Sequence, residues 1–171
     1  MALTVKEKIK IEYLYLDLTT CKRCIKTANN LDIAIKELGR SLSKEGYEVQ
    51  VSKVKIDSVA LAEKYEFLTS PTIRVNDIDI MEVLMESSCP ECSSLCGYSD
   101  FSCRTWKNEN EIVDVPTVEM IVDKIRTSSN ESNSKKAIDP YVMPDNLKKF
   151  FKAKDKTSNQ LRKFIKLNKI T

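Results

Sequence analysis

An apolar strand handed directly to a cysteine pair and a long amphipathic helix constrains this chain more than any other feature. Ile11 to Leu18 is nearly continuous in apolar and aromatic residues. It predicts a strand buried on both faces, as in the middle of a mixed or parallel sheet. Thr20 then offers a hydroxyl N-cap, which places Cys21 at the first helical position. Cys24, Ala28, Leu31, Ile35, Leu38 and Leu42 recur at spacings of three and four, and Gly46 ends the stripe. Cys24 therefore belongs to the core-facing side, while Cys21 is expected exposed at the helix tip.

Two thiols one turn apart can close a disulfide within one segment, and a helix N-terminus favours the thiolate. Lys22 and Arg23 add positive charge beside Cys21. Together these effects lower a thiol pKa of about 8.5 by roughly one unit. Cys21 is thus the candidate nucleophile of thiol–disulfide exchange and Cys24 the resolving thiol. A Cys-x-x-Cys pair is also half of a zinc site, so a metal reading stands beside the redox one.

Further along, Tyr47–Ile56 alternates with period two, with a phase slip near Ser52-Lys53 that suggests a bulge. Asp57-Ser58 caps a short helix containing Ala60, Leu61 and Tyr65. After Ser70-Pro71-Thr72, two short apolar runs flank Asn76-Asp77 and predict a hairpin. Residues 86–110 hold four cysteines with little periodicity and are expected to be a loop or insertion. Val118, Ile121, Val122 and Ile125 return to helical spacing, with Asp114 available as a cap.

This order resembles the thioredoxin fold over roughly Ile9 to Arg126, through Cys21-Lys-Arg-Cys24 at a helix start and Ser70-Pro71-Thr72 entering a strand. With Ser-Pro-Thr-Ile-Arg followed by a Cys-rich run ending in Cys103-Arg104-Thr105-Trp106, the chain is similar to a sparsely characterised thioredoxin-like family of bacterial and archaeal proteins. The resemblance implies an α/β thioredoxin-like fold, a central mixed sheet flanked by helices, with a Cys-rich insertion and a helical C-terminal extension. It implies that Pro71 is cis beside the dithiol, and that Ser70 and Thr72 border a site where an extended substrate pairs. Cys21 lacks the preceding Trp of thioredoxins, and Lys22-Arg23 stands in place of Gly-Pro. Their buried Asp falls on Tyr15 here, and the nearest acid is Asp17.

Cys89, Cys92, Cys96 and Cys103 put four thiols within 15 residues. Four thiolates suit a closed structural zinc site, and Cys-Pro-x-Cys turns aim two sulfurs at one point. Two disulfides, a relay to Cys21–Cys24, an iron–sulfur cluster without ferredoxin spacing, and unligated thiols are the alternatives. The chain has no histidine, which excludes His-based catalysis and His-containing metal sites. Trp106 shields the cysteines or, more commonly for a lone Trp, packs under a loop.

Charge divides the chain. Residues 128–171 contain 11 Lys/Arg and 4 Asp/Glu, a net +7, which leaves 17 against 21, a net −4, for residues 1–127. The division is a thioredoxin-like domain over 1–127, a polar linker over 128–143 and a basic helical extension over 144–171. The modest field of the extension argues against nucleic acid, and its apolar residues at helical spacing make it a candidate contact on the body or in a homo-oligomer. No run reaches the roughly 20 apolar residues of a membrane span, and Met1–Lys10 lacks a signal-peptide core. The expected address is the cytoplasm, where six cysteines are redox-active or metal-bound rather than structural disulfides.

The expected function is a thiol–disulfide oxidoreductase acting on protein or small-molecule disulfides through Cys21 and Cys24. Its rival is a non-enzymatic protein that binds or delivers a thiophilic metal or metalloid. An oxidoreductase needs one exposed acidic thiol beside one buried thiol; a carrier needs both sulfurs open and converging on an ion.

Overall fold

The central strand β1 runs Glu7–Tyr15 in the computed structural model, which describes residues 7–81, 84–130 and 140–168. Ile9, Ile11, Glu12, Tyr13 and Leu14 are all buried, because helices cover both faces of the sheet. Ile9, Ile11 and Tyr13 point to one side, against the apolar stripe of α1 (Lys22–Lys44) and Ile121 and Ile125 of α4 (Val118–Asn130). Leu14 and Leu16 belong to a second core with all six cysteines. The two-residue period of the strand thus separates a purely structural core from a cysteine-bearing one.

The strand order is β2-β1-β3-β4. β2 (Tyr47–Lys55) lies parallel to β1, and the register runs without interruption from Glu7↔Tyr47 to Tyr15↔Lys55. The bulge suggested at Ser52-Lys53 is therefore corrected: β2 is a largely exposed edge strand, so its alternation need not match a buried face. Gly46, at φ 93°, sits just past the end of α1 and turns the chain into β2. Ser58 caps α2 (Val59–Lys64) by accepting from Leu61 N–H, as expected. β3 (Thr72–Val75) is antiparallel to β1 and pairs with β4 (Ile78–Asp79) through Asn76 and Asp77, both at positive φ.

The Cys-rich segment is an organised unit rather than a loop. β5 (Met85–Ser88), α3 (Pro90–Cys96), β6 (Ser102–Asn108) and β7 (Glu111–Val113) follow one another, and β5-β6-β7 make a separate three-stranded sheet. Pro90 opens α3 and Gly97 closes it at φ 74°. Asp114 does not cap α4. Thr117 does so through its hydroxyl, which accepts from Met120 N–H, while Asp114 pairs with Arg23 at 2.9 Å.

The extension is α5 (Asp145–Asn168). Leu147, Phe150 and Phe151 are buried, with Phe150 packed on Phe101 at a ring separation of 4.8 Å. The Asn146 side chain pairs with both backbone groups of Ser102. From Asp155 to Asn168 every residue is exposed, including Leu161, Phe164 and Ile165. Residues 128–130 of the expected linker continue α4, and 131–139 lie outside the described residues.

Phe150 joins the extension to the cysteine-bearing core. Phe150→Ala is expected to cost about 3–5 kcal/mol and to expose α5 to protease. Urea unfolding and limited proteolysis check both effects, and an unchanged midpoint would contradict the docking.

Candidate metal centre

The sharpest departure from expectation concerns Cys21. It is not at the first helical position but is itself the N-cap of α1, extended at φ −71° and ψ 100°, with its sulfur accepting from Cys24 N–H at 3.4 Å. Thr20 is displaced from that role by Asp17. The Asp17 carboxylate accepts from the hydroxyls of Thr19 and Thr20 and from the N–H groups of Thr20 and Cys21, at 2.6–2.9 Å. One buried carboxylate therefore shapes the whole strand-to-helix turn. Burial opposes its charge, yet these hydrogen bonds hold it well below the ordinary carboxylate range.

Cys21 is also fully buried rather than exposed, because the Cys-rich unit covers the helix tip. Its sulfur lies 3.9 Å from that of Cys89. The sulfurs of Cys21, Cys89, Cys92 and Cys103 all lie within 4.8 Å of one another, and all four residues are buried. Cys89 is the N-cap of α3 and Cys92 stands three residues on, so one helix start aims two thiols at a point. Cys103 comes from β6, and Cys21 arrives from the opposite side on α1.

Cys96 was expected in this group and is not in it. It ends α3 one turn beyond Cys92, about 6 Å farther along the helix axis, and its thiol donates to Ser93 C=O at 3.7 Å. Cys21 takes its place. The quartet thus draws one member from the Cys-x-x-Cys pair and three from the later cluster. No signal in the sequence marked Cys21 over Cys96: six cysteines divide into a quartet and two others in fifteen ways, and nearness along the chain favours the wrong one.

The remaining expected site residues are near but occupied otherwise. Cys24 is buried as expected and its sulfur sits 3.4 Å from Ser70 Oγ. The Ser70–Pro71 peptide is cis. Ser70 Oγ accepts from Leu16 N–H, and Ser70 C=O accepts from Arg104 N–H at 2.7 Å. Thr72 is buried, and its hydroxyl donates to Thr69 C=O. Ser70 and Thr72 therefore face no open groove in this conformation: the chain's own β6 takes the Ser70 carbonyl expected to pair with a substrate.

Arg23 is likewise turned away from Cys21. Its guanidinium donates to Cys103 C=O at 2.9 Å and to Ser87, and pairs with Asp114, stitching α1 to the second sheet. Lys22 is exposed. Trp106 packs in the core away from the cysteines, under the Arg104 guanidinium, which pairs bidentately with Asp79 at 2.7 Å. The packing reading of Trp106 holds, and the shielding one does not.

The protons of this cluster are shared unequally. Thiols of Cys103, Cys24, Cys89 and Cys92 surround Cys21 and hold it far below the ordinary thiol range. Cys103 foremost, with Cys92, lowers Cys89 against an opposing Cys21. Cys103 is pushed up in turn, first by its bond to Cys21, then by Cys89, Cys92 and burial. Cys24 is raised by Cys21 and by burial. Two sulfurs in the quartet are thus disposed to be thiolates, held by protons that a cation can replace.

Residues 9–125 match the family described as a domain of unknown function, DUF2703. The chain belongs to that family. No curated protein and no solved structure matches this DUF2703 chain. Among its described residues no helix is long and apolar enough to cross a membrane.

Asp17 supplies a pH test. Its carboxyl is held below its unfolded value, so its stabilisation is present above about pH 4 and is lost as pH falls through the lowered folded value. Asp17→Asn is expected to weaken the fold at pH 7 and to flatten that acid slope. Thermal unfolding from pH 7 down to about pH 2 reads it; parallel slopes in the two proteins would remove Asp17 from this role.

Proposed function

We propose that this DUF2703 chain is a thiophilic metal-binding protein, holding one ion on Cys21, Cys89, Cys92 and Cys103 within a thioredoxin-like scaffold. The observation that carries this reading is the convergence of four buried sulfurs from three elements within 4.8 Å. Four thiolates at about 2.3 Å from a tetrahedral zinc ion stand about 3.8 Å apart, close to the 3.9 Å between Cys21 and Cys89. A contraction of at most about 1 Å completes the tetrahedron. An all-sulfur donor set suits zinc and its softer relatives, and disfavours magnesium, calcium or manganese.

The four ligands are all protein side chains and all buried, so the site is closed in the manner of structural centres rather than open for a substrate. Three of them lie in the β5–α3–β6 unit and one on α1. The ion would therefore cross-link that unit to the main sheet. A reducing cytoplasm is the setting in which the thiols stay available for it.

The thioredoxin-like scaffold is supported by the order β2-β1-β3-β4, with β1 parallel to β2 and antiparallel to β3, and by the cis peptide before Pro71. Those features, with Cys24 beside Ser70, also favour a second reading, thiol–disulfide exchange through Cys21 and Cys24. That reading requires the covering unit to lift, because Cys21 is buried and the Ser70 carbonyl is paired. The metal reading requires no such movement.

Metal analysis of protein purified anaerobically under reduction is expected to give one zinc per chain. Cobalt substitution is expected to give the thiolate charge-transfer band of a tetrahedral sulfur site. Cys21→Ser should weaken binding about 100-fold or more, beyond the 10–100-fold cost of outer-shell changes, while Cys96→Ser keeps full stoichiometry. Metal retained by Cys21→Ser and lost by Cys96→Ser would overturn the assignment. Chelation is expected to open residues 85–108 to protease while α1 and β1 stay protected; an unchanged digest would remove the cross-linking role.

A further inference from the structure

Cys24 is the one buried thiol that touches the quartet without belonging to it. Its N–H donates to the Cys21 sulfur at 3.4 Å, and its own sulfur rests 3.4 Å from Ser70 Oγ. Cys21 and Cys24 are the N-cap and third residue of α1, one turn apart, a span that a disulfide bridges with little backbone movement. Cys21 thus has two alternative partners, the ion and Cys24, and cannot serve both.

We propose that Cys24 makes the metal centre oxidation-responsive, ejecting the ion when a hydroperoxide converts Cys21 and Cys24 to a disulfide. This rests on the metal-binding reading above. Peroxide, like a disulfide substrate, reaches buried Cys21 when the covering unit lifts; the Cys21 thiolate then attacks one peroxide oxygen, forming a sulfenic acid and releasing hydroxide. The Cys24 thiol then attacks that sulfur, an S–S bond forms, and water leaves. Two electrons pass from the sulfurs to the peroxide: thiolate, thiol and hydrogen peroxide become disulfide, water and hydroxide. The ion is left on Cys89, Cys92 and Cys103 alone.

Cys89 and Cys92 share the same N-cap and third-residue relation on α3. Both are ligands, however, so joining them removes two bonds to the ion at once, whereas joining Cys21 to Cys24 removes one and uses a thiol with no ion to lose. Cys21 is also the sole ligand from α1. Its withdrawal releases the β5–α3–β6 unit from the helix tip and leaves that unit its polar ties, Arg23 to Cys103 and Arg104 to Ser70. The consequence of oxidation is thus loss of the ion together with loosening of the unit that covers Cys21.

The test uses the full chain loaded with zinc, hydrogen peroxide as oxidant, a colorimetric zinc chelator, and peptide mapping after alkylation. The wild type is expected to release one zinc for each Cys21–Cys24 disulfide formed. Cys24→Ser and Cys24→Ala, both loaded with zinc first, are expected to release it about tenfold more slowly or slower, since a sulfenic acid must then await a ligand thiol. Cys96→Ser should behave as the wild type. Release at the wild-type rate from both Cys24 variants, or a map dominated by Cys89–Cys92, would overturn the proposal while leaving the metal centre intact. A chain that takes up no zinc would overturn both readings at the loading step.

Discussion

Asp17 fixes the point from which the rest of the site is built. A strand that ends in a buried core must satisfy the amides of the turn that follows, and here one carboxylate takes the N–H groups of Thr20 and Cys21 along with two hydroxyls. That arrangement leaves Cys21 extended at the N-cap instead of helical. Had Thr20 capped α1, Cys21 would be one step farther round the helix and its sulfur would not lie beside Cys89. The position of a single backbone turn thus decides whether the cysteine groups remain separate or share a member.

Much of the framework was legible because its signals are periodic. The α1 stripe, the hairpin at Asn76-Asp77 and the Ser58 cap follow directly from spacing and turn chemistry. The buried run Ile11–Leu14 was legible because a strand covered on two faces loses its alternation, but the strand itself starts earlier than the expected Ile11–Leu18, at Glu7, and ends at Tyr15, where the Asp17 turn begins. The Cys-rich segment was not. Its strands are short and its apolar groups are mostly sulfur, so no hydrophobic period reveals β5, α3 or β6. Three of the quartet were legible: Cys89, Cys92 and Cys103 follow from their crowding, but Cys21 enters from 68 residues away, and no local pattern encodes which distant element will cover a helix tip.

Arg23 and Arg104 illustrate a second limit. Sequence proximity suggests that Arg23 serves the Cys21 thiolate, whereas the guanidinium is drawn to Cys103 C=O, Ser87 and Asp114. A planar five-donor group satisfies several carbonyls and a carboxylate better than one diffuse sulfur. Arg104 behaves alike, pairing with Asp79 and capping Trp106. Arg104 therefore holds the second sheet against the first, and Arg23 holds it against α1, so neither guanidinium is spent on the sulfurs.

Those two sets of bonds divide the labour of covering Cys21. The arginine contacts and the Arg104–Ser70 backbone pair contain no sulfur atom, so neither an ion nor a disulfide removes any of their donors or acceptors. The quartet alone changes with metal and redox state. On the proposed reading the covering unit therefore has a permanent polar seam and a conditional sulfur one. Burial makes the conditional seam consequential: without a cation, the lowering of Cys21 and Cys89 rests on neighbouring thiols that must keep their protons, helped by the N–H of Cys24 at Cys21 and of Cys92 at Cys89. A divalent ion replaces those shared protons with four bonds and lowers the cost of enclosing negative sulfur. On that reading, the same enclosure that makes an unloaded quartet unfavourable would make it selective for a soft, dehydrated cation.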